Sequence, residues 1–265
     1  MDKPKKRYRG SILVFFAALA VICFALSKLI PILWDYRGSQ KTYEKLETYV
    51  TEDSPSGSGS AGEDAGDETW EQTEINFSEL KKENSDIIAW IRFDDPGEVA
   101  VNYPVLYSGD NDTYLRHDIY GDYHIAGCIF LEGSNRPDFS DYHSIVYGHN
   151  MRNSTMFGDL KKYKEQTGFY EKNQYFTIYT ETKKIRFRIF SYHDVKDTSE
   201  IYTAGYLPGK EYQNFLKRLT DLSIQDCGIE PEDTDKIVTL STCSTEGEDQ
   251  RFVIHAVCVG EKRNM

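Results

Sequence analysis

A thiol, an imidazole and a guanidinium stand along this chain at points where strands should end. Lys236-Ile-Val-Thr-Leu-Ser-Thr-Cys243 is β-branched or aliphatic with short hydroxyls between, the composition of a strand. The period of two puts Ile237, Thr239, Ser241 and Cys243 on one face and Val238, Leu240 and Thr242 on the other. The thiol therefore sits at a strand's end beside hydroxyls, where a core cysteine would sit among aliphatics. Arg251 opens a second alternating run that continues to Val259. A thiol and a fixed cation on neighbouring strand ends supply a nucleophile and an oxyanion stabiliser.

Such a site needs a base. His149 lies in Asp141-Tyr-His-Ser-Ile-Val-Tyr-Gly-His-Asn-Met151, where a short apolar run stops at a glycine and a strand passes into a loop. His117, His124, His143 and His193 lie among polar, turn-like residues and read as surface side chains. His255 competes with His149 because it shares a strand face with Arg251. Position favours His149 as the general acid and base. A free thiol has a pKa of about 8.5 and an imidazole about 6.5, so only a minority of such pairs are thiolate and imidazolium at neutral pH. Sulfur is nucleophilic enough for that minority to react.

Tyr-Gly-His149-Asn-Met, Thr-Leu-Ser-Thr-Cys243 and Arg251, in this order, resemble a class B sortase. So do Phe77-Ser-Glu-Leu80, Asn84-Ser-Asp-Ile-Ile-Ala-Trp90-Ile, Tyr103-Pro-Val, Asp110-Asn-Asp-Thr-Tyr-Leu115, Gly127-Cys-Ile-Phe130 and Met156-Phe-Gly-Asp-Leu160. The resemblance runs from about residue 75 to about residue 260. It implies a mainly β fold, an eight-stranded mixed β-barrel with peripheral helices, a helical lead-in and a helix in the loop before the cysteine strand. The activity it implies is that of a membrane-anchored cysteine transpeptidase of Gram-positive bacteria. Cys243 would attack a threonyl carbonyl in the C-terminal sorting signal of an exported protein. The acyl group would pass from the thioester to an amine on a cell-wall peptide or peptidoglycan precursor. His149 would move the protons, and Arg251 would hold the oxyanion, aided by a backbone N–H near Ser244. The substrate groove of the family maps onto Asn111, Leu115, Tyr147, Ser241 and the helical insert, although ordinary loop and packing roles also suit Asn111 and Leu115. Many class B enzymes have an acidic residue two places after the cysteine; here Thr245 stands there, with Glu246 next, so no catalytic carboxylate is carried over.

The first residues place the chain independently. Lys3, Lys5, Lys6, Arg7 and Arg9 precede an apolar run from Ile12 to Trp34, long enough to span a bilayer as a helix. Its basic flank should stay cytoplasmic, with the C-terminal bulk outside the plasma membrane. A cleaved signal peptide is the competing reading, but the apolar core is long and no small-x-small site follows it. Residues 1–10 then form a cytoplasmic segment, 11–34 an anchor, 35–74 an acidic Gly/Ser-rich flexible stalk and 75–265 the catalytic domain. A net charge of −12 and a pI near 5.0, with no basic stripe beyond the N-terminus, argue against a nucleic-acid partner.

Cys23 falls in the expected span, and Cys128 and Cys258 occupy apolar strand positions as buried free thiols. Cys227 falls in a loop. No C-x-x-C or H-x-x-x-H spacing suggests a metal, and no cofactor is expected. Asn76 with Glu79 forms a capping box for a helix burying Phe77 and Leu80. Strands are expected at Val99–Leu106, Gly127–Leu131, Ser144–Tyr147, Tyr175–Tyr179, Ile185–Tyr192, Lys236–Cys243 and Phe252–Val259. Before the cysteine strand, Tyr212, Phe215, Leu216, Leu219 and Leu222 repeat at helical spacing. Two other functions use the same features. A membrane-anchored cysteine protease would hydrolyse the thioester, and a non-catalytic surface binding module would keep Cys243 inert.

Overall fold

The computed structural model describes residues 7–52, 69–243 and 249–264, with the side chains of 14–27, 41–51, 70–242 and 249–264. Two compact units divide the chain between Glu44 and Lys45. The first consists of most of helix α1 (Arg7–Glu47), on which Val14, Phe15, Phe16 and Phe24 are exposed. Among the described residues no helix is long and apolar enough to cross a membrane, so the span expected over 11–34 gains no support there. The side chains of residues 11–13 and 28–34 lie outside the described set.

The second unit begins inside the segment expected to be stalk. Strand β1 (Val50–Glu52) pairs antiparallel with β2 (Thr73–Ile75), and the short helix α2 (Thr69–Gln72) precedes β2. One residue explains much of this departure from composition. Trp70 is buried, with its ring against the backbone of Gly260. Lys184 Nζ then donates to the Glu71 carbonyl at 2.7 Å and to Glu74 at 2.5 Å. The Gly/Ser tract, residues 54–62, lies outside the described residues. Helix α3 (Phe77–Glu83) starts as expected: Asn76 Oδ1 accepts from the Glu79 N–H at 3.2 Å, and Phe77 and Leu80 are buried.

Eight strands follow: β3 (Ile87–Phe93), β4 (Asn102–Leu106), β5 (Ile129–Leu131), β6 (His143–Tyr147), β7 (Tyr175–Thr180), β8 (Lys183–Lys196), β9 (Ile237–Cys243) and β10 (Gln250–Arg263). They close a barrel in the order β10-β8-β7-β3-β4-β5-β6-β9. The pairs β4–β5 and β6–β9 are parallel and the other six antiparallel, so the sheet is mixed as the resemblance implied. β3 is the strand missing from the seven expected. Both of its faces are buried or half-buried, so Ile-Ile-Ala-Trp-Ile shows no alternation. β8 and β10 run longer than their apolar cores because their ladder continues through polar residues to Lys183 and Arg263.

The short helices α4 (Lys162–Glu165) and α5 (Phe169–Lys172) lead into β7. Helix α6 (Lys210–Asp221) is the insert before the cysteine strand. It buries Tyr212, Phe215, Leu216 and Leu219 against Phe190, Ile237, Val253 and Val257. Leu222 falls past the last turn and is 47% exposed. Cys128 and Cys227 are buried free thiols, whereas Cys258 is only half-buried. Its expected core position fails because it lies just past the buried residues 252–257 of β10, where the strand runs out toward solvent.

Candidate active site

Three neighbouring strands bring the reactive positions together. β9 and β10 pair antiparallel with Cys243 opposite Arg251 in backbone register at the last rung. β6 lies parallel on the other side of β9, with Tyr147 opposite Ser241. Gly148 carries the chain off β6: its N–H donates to the Ser241 carbonyl at 3.1 Å, one residue before His149. A Cβ at Gly148 would come within 2.7 Å of the Phe157 ring, so glycine is required for this turn. The His149 carbonyl then accepts from the Met151 and Phe157 N–H groups at 3.1 and 3.0 Å, which fixes its backbone.

His149 Nε2 is 2.8 Å from the Leu115 carbonyl oxygen. A carbonyl only accepts, so Nε2 carries a hydrogen in both charge states and the exchangeable proton belongs to Nδ1. Burial lowers the His149 pKa, with a further push from Arg116 and Arg251, while the Leu115 bond opposes. The ring thus rests neutral at neutral pH. Leu115, Tyr147, His149, Ser241, Thr242 and Arg251 line one cleft with Phe130 and Gly148. The backbone of Cys243 ends β9 at this cleft; its side chain, and all of Ser244, lie outside the described residues.

The guanidinium of Arg251 donates to the Gln250 carbonyl at 3.0 Å and to Asp197 at 3.4 Å. Glu246 and Glu248, which could also have paired with it, lie outside the described residues. Among the groove candidates, Leu115 is 37% exposed and gives its carbonyl to His149. Asn111 is committed to Glu132: its amide nitrogen donates to both carboxylate oxygens at 2.9 and 2.8 Å, and its Oδ1 accepts from the Gly133 N–H at 2.8 Å. Tyr147 donates to the same carboxylate at 2.8 Å. Burial would raise the Glu132 pKa, but hydrogen bonds from Asn111, Tyr147 and Ser134 outweigh it and hold the pKa below the usual carboxylate value. Ser241 is buried, with Oγ 3.0 Å from the Tyr202 hydroxyl, and the Tyr202 ring stacks on Tyr147. Glu132 and Tyr202 were not among the sequence candidates. Glu132 had one faint signal, a carboxylate closing an apolar strand; Tyr202 had none.

The histidines need correction. His124, His143 and His193 are buried, not surface side chains, and His117 is half-buried. His255 is fully buried and both its nitrogens are engaged, by Thr239 and His193. It belongs to the barrel interior, and the cleft holds His149 alone among the histidines. Among the described residues no group of three or more His, Cys, Asp or Glu could hold a metal ion.

The sortase domain family matches residues 97–259 of this chain. The chain is 30% identical to sortase B of Listeria monocytogenes over 183 residues, 68% of this chain and 73% of that protein. Its fold is similar to the crystal structure of Clostridium perfringens sortase B, with TM-score 0.64 and 32% identity over 70% of this chain and 100% of that one. Sortase B from B. anthracis aligns with TM-score 0.70 and 26% identity over 86% and 99%. The chain belongs to the sortase family, and these relatives place it in class B. Its activity is therefore that of a cysteine transpeptidase.

Proposed function

We propose that this transpeptidase cleaves a sorting signal at a threonyl carbonyl and transfers the acyl group to a cell-wall amine. The observation that carries the reading is the rung pairing Cys243 with Arg251, beside a cleft that contains His149. Cys243 gives its thiol proton to His149 Nδ1 as its sulfur attacks the carbonyl carbon, and the oxygen takes the negative charge while Arg251 donates to it. The C–N bond breaks as His149 Nδ1–H gives its proton to the departing amine, leaving a thioester and a neutral ring. The same nitrogen then takes a proton from the incoming amine, whose attack breaks the C–S bond, and returns that proton to the departing sulfur, restoring the thiol and the neutral ring. Tyr147, Tyr202 and Leu115 form the groove wall, with Asn111 and Glu132 bracing Tyr147 from behind.

The N-terminal segment completes the proposal as a single membrane anchor over 11–34, N-terminus cytoplasmic, carrying the domain outside the plasma membrane. Its support is the basic-then-apolar sequence and the exposed apolar side chains of α1. The test of the chemistry is mass spectrometry on protein incubated with threonine-containing sorting peptides, with and without amines. An acyl adduct on Cys243 that is discharged faster by amine than by water supports transfer. An adduct discharged only by water makes the chain a hydrolase, and no adduct with any peptide overturns the reading.

A further inference from the structure

Three histidines that play no part in the transfer chemistry form one hydrogen-bonded chain inside the barrel. His143 Nδ1 lies 3.0 Å from the Thr203 carbonyl oxygen, and its Nε2 lies 2.8 Å from Thr239 Oγ1. Thr239 Oγ1 is also 2.8 Å from His255 Nδ1, and His255 Nε2 is 3.2 Å from His193 Nε2. His193 Nδ1 ends the chain on the Asp194 carbonyl oxygen at 3.2 Å. His143, Thr239 and His255 are 0% exposed and His193 3%, so the contacts are closed to bulk solvent.

The hydrogens in this chain can be counted. Both ends are carbonyl oxygens, which only accept. Between them lie five contacts, each requiring one hydrogen. A neutral imidazole supplies one and the hydroxyl one, so the three rings and Thr239 supply four for those five contacts. Assigning hydrogens inward from both carbonyls leaves the shortfall at the contact between His255 Nε2 and His193 Nε2, where two lone pairs face each other. A single added proton fills it, and one ring becomes an imidazolium donating from both nitrogens. A second would have no acceptor left.

We propose that His143, Thr239, His255 and His193 form a buried site that binds one proton, held between the two Nε2 atoms. The four residues come from β6, β9, β10 and β8 in that order. β6 leads to His149, β9 ends at Cys243 and β10 begins with Arg251, so the site ties together the strands that carry the reacting groups. It stands whatever the acyl donor is. Asp141 favours charge at the His143 end, and Asp194, bound to Lys164 at 3.0 Å, favours it at the His193 end. Tyr206 and the Phe215 of α6 flank His143, and Phe190 flanks His255. Burial opposes charge on all three rings and outweighs the carboxylates. Uptake therefore falls on the acid side of the ordinary histidine range.

The test is a ¹⁵N-histidine NMR titration of the full-length chain in detergent, from about pH 8 to about pH 4, through the ordinary histidine value. Ring-nitrogen shifts report tautomer and charge for each histidine. The expected result is one imidazolium's worth of change within the buried chain while the remaining two rings stay neutral. Thr239→Val breaks the chain into three contacts that three neutral rings satisfy, so that variant should stay neutral over the same range. Three rings that remain neutral in the wild type, with His193 carrying its hydrogen on Nε2, overturn the proposal. So does a Thr239→Val chain that titrates like wild type. Should that variant not fold, the wild-type titration decides alone.

Discussion

Arg251 shows how geometry and charge separate at the level of one side chain. Its pairing with Asp197 is long and partly exposed, an arrangement worth about 0–1 kcal/mol to stability. The task proposed for it opposite Cys243 is different, an interaction made chiefly in the transition state. Arg251→Lys retains the charge and loses the planar fork of donors. The variant should unfold at a near-normal temperature yet lose about 2.7–4 kcal/mol of transition-state stabilisation in steady-state peptide cleavage. A variant within about threefold of wild-type kcat would reduce Arg251 to a salt-bridge residue. His149→Ala should lower turnover by at least about a hundredfold. His255→Ala should act through stability, because it removes a fully buried ring with both nitrogens bonded. Equal kinetic losses in folded His149→Ala and His255→Ala proteins would contradict that division.

Acid stability is set where strands β6, β8, β9 and β10 meet. Burial holds His143 at about 4, against 6.5 for an ordinary ring, and pushes His255 and His193 down as well. Folded pKa values below the unfolded ones mean that the unfolded chain binds protons first as pH falls. Stability is therefore complete above pH 6.5 and is lost as pH falls from there toward about 4. One proton taken by the folded chain does not reverse this, since unfolding exposes three rings. Urea midpoints across this window should fall with pH, and a flat profile would refute the sign. Helix α6 offers a second test at this scale. Leu219 is fully buried and Leu222 is 47% exposed. Leu219→Ala should cost about 2–5 kcal/mol in urea unfolding, while Leu222→Ala should stay within about 0.5 kcal/mol.

For the whole molecule, the boundary of the catalytic unit lies earlier than composition suggests. Deleting residues 1–75 would remove β1, β2 and Trp70 as well as the segment before them. Deleting 1–44 follows the division into compact units and spares them. The shorter deletion should give a soluble protein with wild-type activity on free peptides. The longer one should unfold at lower temperature, since it uncovers the surface under Trp70 and leaves Lys184 buried without Glu74. Equal melting temperatures for the two proteins would return residues 45–75 to the stalk.

The sequence alone determined whatever depends on local period and residue chemistry. The strand ending at Cys243, the strand opening at Arg251, the glycine before His149, the Asn76 cap and the buried face of α6 are all written in neighbouring residues. Each element must hide one face, and the spacing of its side chains reports which. Tertiary structure decided what depends on partners distant in the chain. β3 has both faces covered, so its period disappears. His143 and His193 have polar neighbours in sequence, yet they are enclosed by strands β9 and β10. Glu132 and Tyr202 meet Asn111, Tyr147 and Ser241 only through contacts made from other segments. Cys258 is half-buried because β10 leaves the buried interior at Val257. Closing a barrel chooses neighbours by non-local pairing, and a local pattern carries no information about which strand arrives alongside.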